Sequence, residues 1–513
     1  MRQVPLFLAL TFAAGLVASP RVALAGSDFW NAIAAGGSWQ DGTHWGSGIH
    51  GGIVPGATSG TTNTDTATFN STSATTTIIP DPNRNLEFIT FDSSATAYKI
   101  GTTVGNALLM TSGGMIEIAN TFAASNMTET INAPLVLEGN YTFADNCANA
   151  GVLLYFGGAI STAGNPLTLS GPGNITVSGN ISGVGSVSKT GSGIVYLSGT
   201  NSYSSGTTVT GGILVTNTLG GPAGPIVVSA AAGVNSALVL GASQQGQTVG
   251  SLAGTVAPLG SAVVSISGDD MLTVNQATNT TFGGTIWLSG TLIKSGAGTL
   301  EITGVPTLSN LSSIQVTSGG LRLNVASGSP SVGSGVTATV SSGANLELAN
   351  SVSALSSGAN RVNITNNSNS PGLLVSGKSQ QVGNVDGSGT TQVNAGSDLT
   401  ANHIIQSALI IGGTGTSHGL VTIDASDASG NPLGQSGGLA LADSLTPSGP
   451  FGAGIISSGN VNSGDSIVLA ALSTGSPAVG RNLAPVPEPS TLVLVLFALL
   501  SVIGGRCSRN RRD

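Results

Sequence analysis

Short stretches in which apolar and polar residues alternate recur along most of the chain. Two of them lie within residues 185–217, one around Val195 and Leu197 and the other around Val209 and Leu214, and Gly, Ser, Thr and Asn separate them. Alternation with a period of two, bounded by such turn-forming residues, predicts half-buried β-strands joined by tight turns. The hydrophobic pattern therefore predicts an all-β fold.

The same pattern predicts further strands at intervals of about 20 to 30 residues, which is the spacing of a repeated structural unit. They span residues 115–118, 135–137, 167–169, 237–240, 263–266, 285–288, 346–348, 373–375, 408–411 and 420–423. We expect each strand to be one turn of a solenoid, or a part of one.

One of these units recurs in sequence. The stretch that begins GSVSKTGSG at Gly185 returns at Gly290 as GTLIKSGAG. The shared positions are Lys189, Gly191 and Gly193 in the first copy and Lys294, Gly296 and Gly298 in the second. An internal repeat in a chain of 513 residues favours a single long solenoid over several globular domains.

These residues resemble the autotransporter-associated β-strand repeat, whose pattern is roughly GxLxKxGxGTLxLxGxNxYxGxTxVxxGxLxVN. The first copy, 185–217, also has Asn201 and Tyr203, whereas the second, 290–324, lacks both. The resemblance implies a right-handed parallel β-helix of the kind that forms the stalk of secreted surface proteins. We expect this solenoid over residues 102–350, with further turns over 351–424.

Composition agrees with a folded, weakly charged rod. Charged residues are 7% of the chain, aromatic residues 4%, and the formal net charge is −8. Acidic surfaces of this kind disfavour nucleic acid and anionic membranes as partners. The two cysteines, Cys147 and Cys507, offer no disulfide framework, so we expect stability to come from stacked turns.

Residues 1–25 have the pattern of a secretory signal. Arg2 precedes an apolar run that is too short for a membrane-spanning helix, and the small residues Ala23 and Ala25 follow it. We expect export, with cleavage after Ala25.

Residues 26–101 contain three of the four tryptophans, Trp30, Trp39 and Trp45. Because the open end of a solenoid exposes its core, we expect this segment to be an N-terminal cap. The alternative is a platform on which a carbohydrate stacks.

Residues 486–513, at the C-terminus, combine a Pro-Glu-Pro motif, an uncharged run and a basic tail, and they resemble the PEP-CTERM protein-sorting signal. That resemblance implies transient membrane insertion through a C-terminal helix, recognition by an exosortase-type membrane transpeptidase, and cleavage near Glu488. A permanent membrane anchor is the alternative. Residues 425–485, rich in Ser, Gly and Pro, are predicted to be a flexible spacer. The signal residues are Val486, Pro487, Glu488, Pro489, Ser490, Arg506, Arg509, Arg511 and Arg512.

Candidate chemistry is sparse. His44 and His50, with Asp41 nearby, are the best metal candidates, but zinc usually needs three or four closely spaced ligands, so we expect no metal and no cofactor. The compact acidic pairs are Asp269 with Asp270 and Asp424 with Asp427, and aspartate is common in turns because it bonds to nearby backbone.

The sequence thus predicts an exported structural or adhesin-like protein of the cell surface, associated with extracellular polysaccharide and not an enzyme. The alternatives are a spacer with no ligand and a β-helix polysaccharide lyase or hydrolase. That activity would require Asp269, Asp270, Lys294 and Arg322 to converge on one groove.

Overall fold

The computed structural model describes residues 26–423 with short gaps, and the backbone of residues 440–441 and 454–455. The gaps are 32–36, 47–51, 61–62, 71–72, 74, 94–95, 150, 222–223, 242–245, 267, 269, 309–311, 329, 350–351, 359 and 415–416. Every described residue belongs to the first of two units, 1–472 and 473–513. The predicted signal peptide with Ala23 and Ala25, nearly all of the predicted spacer, and the predicted sorting signal lie outside the described residues.

The regular secondary structure of the described chain is almost entirely short β-strands, with a 3₁₀ turn at Gly42–His44. The first strands are β1 Asp28–Phe29, β2 Thr66–Phe69, β3 Thr77–Ile78, β4 Arg84–Phe91, β5 Lys99–Ile100, β6 Leu108–Ile118, β7 Thr128–Ile131, β8 Leu135–Leu137, β9 Tyr141–Asp145, β10 Leu153–Phe156, β11 Ile160–Ser161, β12 Leu167–Ser170, β13 Asn174–Val177, β14 Ile181–Ser182, β15 Val187–Lys189, β16 Ile194–Leu197, β17 Thr207–Val209 and β18 Gly212–Thr216. There follow β19 Pro225–Val228, β20 Asn235–Leu240, β21 Gln247–Val249, β22 Ser251–Ala253, β23 Ser261–Ile266, β24 Met271–Asn275, β25 Thr280–Phe282, β26 Thr285–Leu288, β27 Thr291–Ser295, β28 Thr299–Ile302, β29 Thr307–Leu308, β30 Ser313–Val316, β31 Gly320–Leu323, β32 Ser331–Val332, β33 Thr337–Val340 and β34 Asn345–Leu348. The last are β35 Ser356–Ser357, β36 Asn360–Arg361, β37 Asn363–Asn366, β38 Leu373–Val375, β39 Gln380–Gln381, β40 Asn384–Asp386, β41 Thr390–Val393, β42 Asp398–Ala401, β43 His403–Gln406, β44 Ala408–Ile411, β45 Gly413–Thr414, β46 Ser417–His418, β47 Leu420–Ile423, β48 Ala440–Leu441 and β49 Gly454–Ile455.

These strands stack in parallel as a β-solenoid of about 15 turns with three faces. Face I begins with β8, β11 and β14, which branch from β6, and continues as the sheet from β21 to β43. Face II runs from β2 to β22 and continues from β25 to β44, the two parts being joined by a parallel bridge between Gly254 and Phe282. Face III runs from β3 to β32 and continues through β39, β42 and β47.

Each turn places its strands directly over those of the turn before. The number of residues in a turn varies, since the step from Leu373 to its register partner Thr391 is much shorter than the step from Leu346 to Leu373. The extra residues of the longer turns lie in loops, so each strand stays in register with the strand of the turn before. Inward residues alternate with outward ones along each strand, as in β34, where Leu346 and Leu348 are fully buried.

The structure confirms the all-β, parallel solenoid prediction. The strands predicted at residues 135–137, 285–288, 373–375, 408–411 and 420–423 have the predicted bounds. Residues 26–101, predicted as a cap segment, contribute β1 to β5, which pair in parallel with the strands that follow. Within the described part of the chain, no helix has the length and apolar character needed to cross a bilayer.

Candidate functional site

The signature lysine of the first repeat lies inside the solenoid, at the corner where the chain leaves face II for face III. Lys189 is 1% exposed, although it carries an ammonium group. Its Nζ donates to the carbonyl oxygens of Thr190 at 2.6 Å, Gly191 at 2.8 Å and Gly211 at 3.1 Å. One side chain thus satisfies two carbonyls of its own corner and one of the next turn.

The second repeat contains the same arrangement. Lys294 is fully buried, and its Nζ donates to the carbonyl oxygens of Ser295 at 2.7 Å, Gly296 at 2.9 Å and Ser318 at 3.3 Å. Burial in an apolar interior disfavours the charged form, and it lowers the pKa of both Lys189 and Lys294 to about 8. Each ammonium group therefore donates to three backbone carbonyl oxygens in the core.

The signature glycines are needed because the backbone turns sharply and packs closely at these corners. Gly191 and Gly296 have φ of +71° and +76°, a region that other residues rarely adopt. A Cβ atom at Gly193 would lie 1.8 Å from the carbonyl oxygen of Gly173, and one at Gly298 would lie 2.3 Å from that of Thr278. All six signature residues thus have a structural role at a corner.

The three N-terminal tryptophans form one aromatic cluster. Trp30, Trp39 and Trp45 are fully buried, and the Trp45 ring centroid lies 5.0 Å from that of Trp30 and 5.1 Å from that of Trp39. Each of the three rings contacts Phe69 at 5.9–6.3 Å. Phe69 in turn stacks on Phe91 of the next turn at 5.4 Å. Because the three indole rings are buried, they offer no surface on which a sugar could stack.

Among the described residues, those that a lyase would need do not line one groove. Lys294 faces the interior, whereas Arg322 is on the outside of face II between two glutamates, with its Nε 3.6 Å from Glu301 and 3.5 Å from Glu347. These three charges occupy adjacent turns with alternating sign, which avoids repulsion between stacked like charges. Asp270 is 4% exposed at the start of β24. Asp269, Asp424 and Asp427 lie outside the described residues.

The histidines do not assemble a metal centre in the part of the chain that is described. His44 is buried, its Nδ1 lies 3.2 Å from the Ser38 carbonyl oxygen, and its Nε2 lies 3.7 Å from Asp41. His50 lies outside the described residues. No group of three or more His, Cys, Asp or Glu residues with metal-binding geometry occurs among the described residues.

Two buried carboxylates were missed by sequence analysis. Glu129 and Asp145 are fully buried, and burial raises the pKa of Glu129 to about 8 and that of Asp145 to about 7. Glu129 accepts from the Tyr98 amide at 2.8 Å, and Asp145 accepts from the Cys147 amide at 3.1 Å. The sequence feature that could have revealed them is a charged residue at an inward position of an alternating strand.

Face III carries a surface that sequence analysis also missed. On seven consecutive strands, from β10 to β26, two outward columns run from Leu153 to Thr285 and from Tyr155 to Trp287. We call these two columns the apolar strip, because ten of their fourteen residues are apolar or aromatic and none is charged. The sequence indicates such a surface in runs such as LLYF at 153–156 and IVYL at 194–197, which are apolar at both the inward and the outward positions.

Comparison with known proteins identifies the repeat. No curated protein and no solved structure is significantly similar to the chain. Residues 187–215 match the family described as the passenger-associated-transport-repeat, which confirms the predicted resemblance for the first copy. That repeat, in a parallel β-solenoid, fits a surface-exposed, passenger-like or adhesin-like protein.

Proposed function

We propose that this protein is an exported structural or adhesin-like component of the cell surface, associated with extracellular polysaccharide. The observation that carries the proposal is the passenger-associated repeat at residues 187–215, in a solenoid whose buried lysines serve the fold. A rigid stack of turns holds its outward side chains in fixed rows, which suits repeated weak contacts with a polymer.

The proposal includes the path by which the chain reaches the surface. The N-terminal signal directs export, and the PEP-CTERM-like tail inserts transiently in the membrane until an exosortase-type transpeptidase cleaves near Glu488. At the other end, the cluster of Trp30, Trp39 and Trp45 acts as a cap, since it packs on the first turns of the core through Phe69.

The test of this path is the mature C-terminus of the protein in its producing cells. Cells are fractionated, and the C-terminal peptide is determined by mass spectrometry in each fraction. We expect a chain that ends near Glu488 in the outer-surface fraction. An intact chain ending at Asp513 in the inner membrane would reject sorting in favour of a permanent anchor. The matched control is Glu488→Ala, which should leave the tail uncleaved.

A separate assay addresses the polysaccharide. The full chain is incubated with native matrix polysaccharide from the same cells and sedimented. Co-sedimentation above that of an unrelated acidic protein is the expected result, and its absence would leave a surface stalk with no glycan partner.

A further inference from the structure

The apolar strip distinguishes face III from the neighbouring face. In the same turns, most outward residues of face II are hydroxylated, as at Thr168, Ser188 and Thr208, which follow one another in register. Val227 and Ala253, next in that column, are the apolar exceptions. On the strip, Tyr196 is 42% exposed and Trp287 is 53% exposed. Contiguous apolar surface commonly marks a site of interaction, so the strip is a candidate binding surface.

The dimensions of the strip limit what that partner can be. Seven strands about 4.8 Å apart give a length of roughly 29 Å, and two columns of side chains give an area on the order of 350 Å². A stable protein interface buries about 800 Å² on each partner. The strip is therefore too narrow to hold a second copy stably, whereas its length and narrowness fit an extended linear polymer.

The chemistry of the strip further limits the partner. It has no charged residue, and the protein around it has a formal net charge of −8, which repels polyanions. Its polar members, such as Thr176 and Ser265, offer hydroxyl groups beside the aromatic rings. The hydroxyl groups of Tyr155 and Ser178 are 2.6 Å apart, and this hydrogen bond fixes the Tyr155 ring at the edge of the strip. Rings that present an apolar face and a polar edge suit sugars, which have apolar C–H faces and hydroxyl rims.

We propose that the apolar strip binds a linear, uncharged polysaccharide that lies across the stacked strands, with Tyr196 and Trp287 as its main contacts. The proposal rests on the polysaccharide association proposed above and specifies both the binding surface and the class of polymer. Tyr196 and Trp287 lie four turns apart, roughly 19 Å, so one chain of several sugar units spans both rings.

Tryptophan fluorescence provides a direct readout of this site. The chain has four tryptophans, and Trp30, Trp39 and Trp45 are fully buried, so acrylamide quenching in the full-length protein reports mainly on Trp287. The probes are three linear uncharged polymers, namely cellulose, agarose and curdlan, each also tested as soluble oligosaccharides. Alginate serves as the linear anionic control. We expect an uncharged polymer to protect Trp287 from quenching and alginate to leave it accessible.

Variants test whether the strip is the binding surface. We expect Tyr196→Ala and Trp287→Ala each to weaken binding about tenfold, measured by depletion from solution, since aromatic residues commonly dominate such contacts. The matched controls are Met271→Ala and Ile405→Ala, which are 41% and 43% exposed but lie on face I, and these should bind as the wild type does. Circular dichroism checks that all four variants fold.

The outcomes separate this proposal from the proposed function. If Tyr196→Ala and Trp287→Ala leave polysaccharide binding unchanged, the strip is not the binding surface, although polysaccharide association stands. Preference for alginate, or no binding to any of the three uncharged polymers, would also overturn the proposal. So would an oligomer that forms with rising protein concentration and itself protects Trp287, since that result assigns the strip to a second copy. The surface location of the protein is tested separately, by determining its mature C-terminus in each cell fraction.

Discussion

The two copies of the repeat build the same corner on different sides of the solenoid. In the first copy, Lys189 ends a strand of face II and the chain continues into face III. In the second copy, Lys294 is on face I and the chain continues into face II. The two lysines nevertheless make matching hydrogen bonds, each to three backbone carbonyls. The corner is therefore a local module that occurs at two different edges of the solenoid.

The copies differ in the segment that follows the shared strand. In the first copy, Asn201 accepts from the Ile181 amide at 3.1 Å and donates to the Thr218 carbonyl at 3.0 Å, so an amide side chain bridges neighbouring turns. Nearby, the hydroxyls of Tyr203 and Thr207 are 2.8 Å apart. The second copy has Pro306 and Leu308 at the positions of Asn201 and Tyr203, and Leu308 is buried in the short strand β29.

The part of the motif that follows the shared strand therefore depends on its surroundings. Asn201 and Tyr203 stabilise a connection without regular strand, whereas a strand of face III takes their place in the second copy. Gln276 shows a further variation, since its fully buried amide donates to the carbonyls of Thr278 at 3.1 Å and Thr299 at 2.8 Å. A neutral side chain therefore satisfies corner carbonyls too, although it reaches fewer of them.

The largest expected effect comes from removing either lysine. Lys189→Met and Lys294→Met should each lower the free energy of unfolding by about 3 kcal/mol, because three carbonyls lose their donor. The effects should be equal within about 1 kcal/mol if the corners are equivalent. Urea denaturation measures the change, and amide hydrogen exchange locates it. Lys378→Met, at an exposed lysine, is the control, and Lys294→Gln should restore part of the loss. A large effect at one corner alone would contradict the equivalence.

Alanine at the signature glycines should be nearly as damaging. Gly191→Ala and Gly296→Ala combine a positive φ with a Cβ atom 2.6 Å and 2.4 Å from a carbonyl oxygen, which together cost about 2–3 kcal/mol. Gly335 also has a positive φ, +78°, but has open space around it, so Gly335→Ala should cost only about 1 kcal/mol. Differential scanning calorimetry compares the three variants. Equal losses of stability at all three positions would show that close packing at the corners does not add to the cost of the substitution.

A smaller effect should distinguish the first copy from the second. Asn201→Ala leaves the buried Ile181 amide without its acceptor, which should cost about 2 kcal/mol. Pro306→Ala, at the corresponding position of the second copy, removes no hydrogen bond and should cost less than about 1 kcal/mol. Thermal melting of the two variants measures the difference. Similar losses would mean that Asn201 stabilises the first copy by packing alone.

The smallest expected effect is a dependence on pH that the two corners share. The folded-state pKa of each lysine, about 8, lies below its ordinary value of 10.5, so between these values the unfolded chain binds more protons. Stability should therefore rise between pH 8 and 9.5, by roughly 1–2 kcal/mol per corner. Each Lys→Met variant should lose its share of this rise. Burial also raises the pKa of Glu129 to about 8, which opposes the trend near pH 8, and it raises the pKa of Tyr203, which opposes the trend at higher pH. Measurements therefore stop at pH 9.5.

Much of the fold could be predicted from local pattern. The strands at 135–137 and 373–375 were bounded correctly because their inward leucines and valines stand between polar residues and breakers. β14 and β29 were missed because a strand of two residues is too short to show alternation. The buried Glu129 was missed for a different reason, since an acidic residue in a strand is normally expected to face solvent.

The all-β solenoid and the repeat follow from the sequence alone, because alternation and turn residues act over a few positions. The face that each copy occupies is known only from the folded structure, because the rotation from one copy to the other around the solenoid depends on all the loop lengths in the intervening turns. The folded structure also shows that the signature lysines lie in the core and that Trp287 faces outward while Trp30, Trp39 and Trp45 do not. Burial depends on which strands stack above and below a residue, and those neighbours come from turns that are distant in sequence.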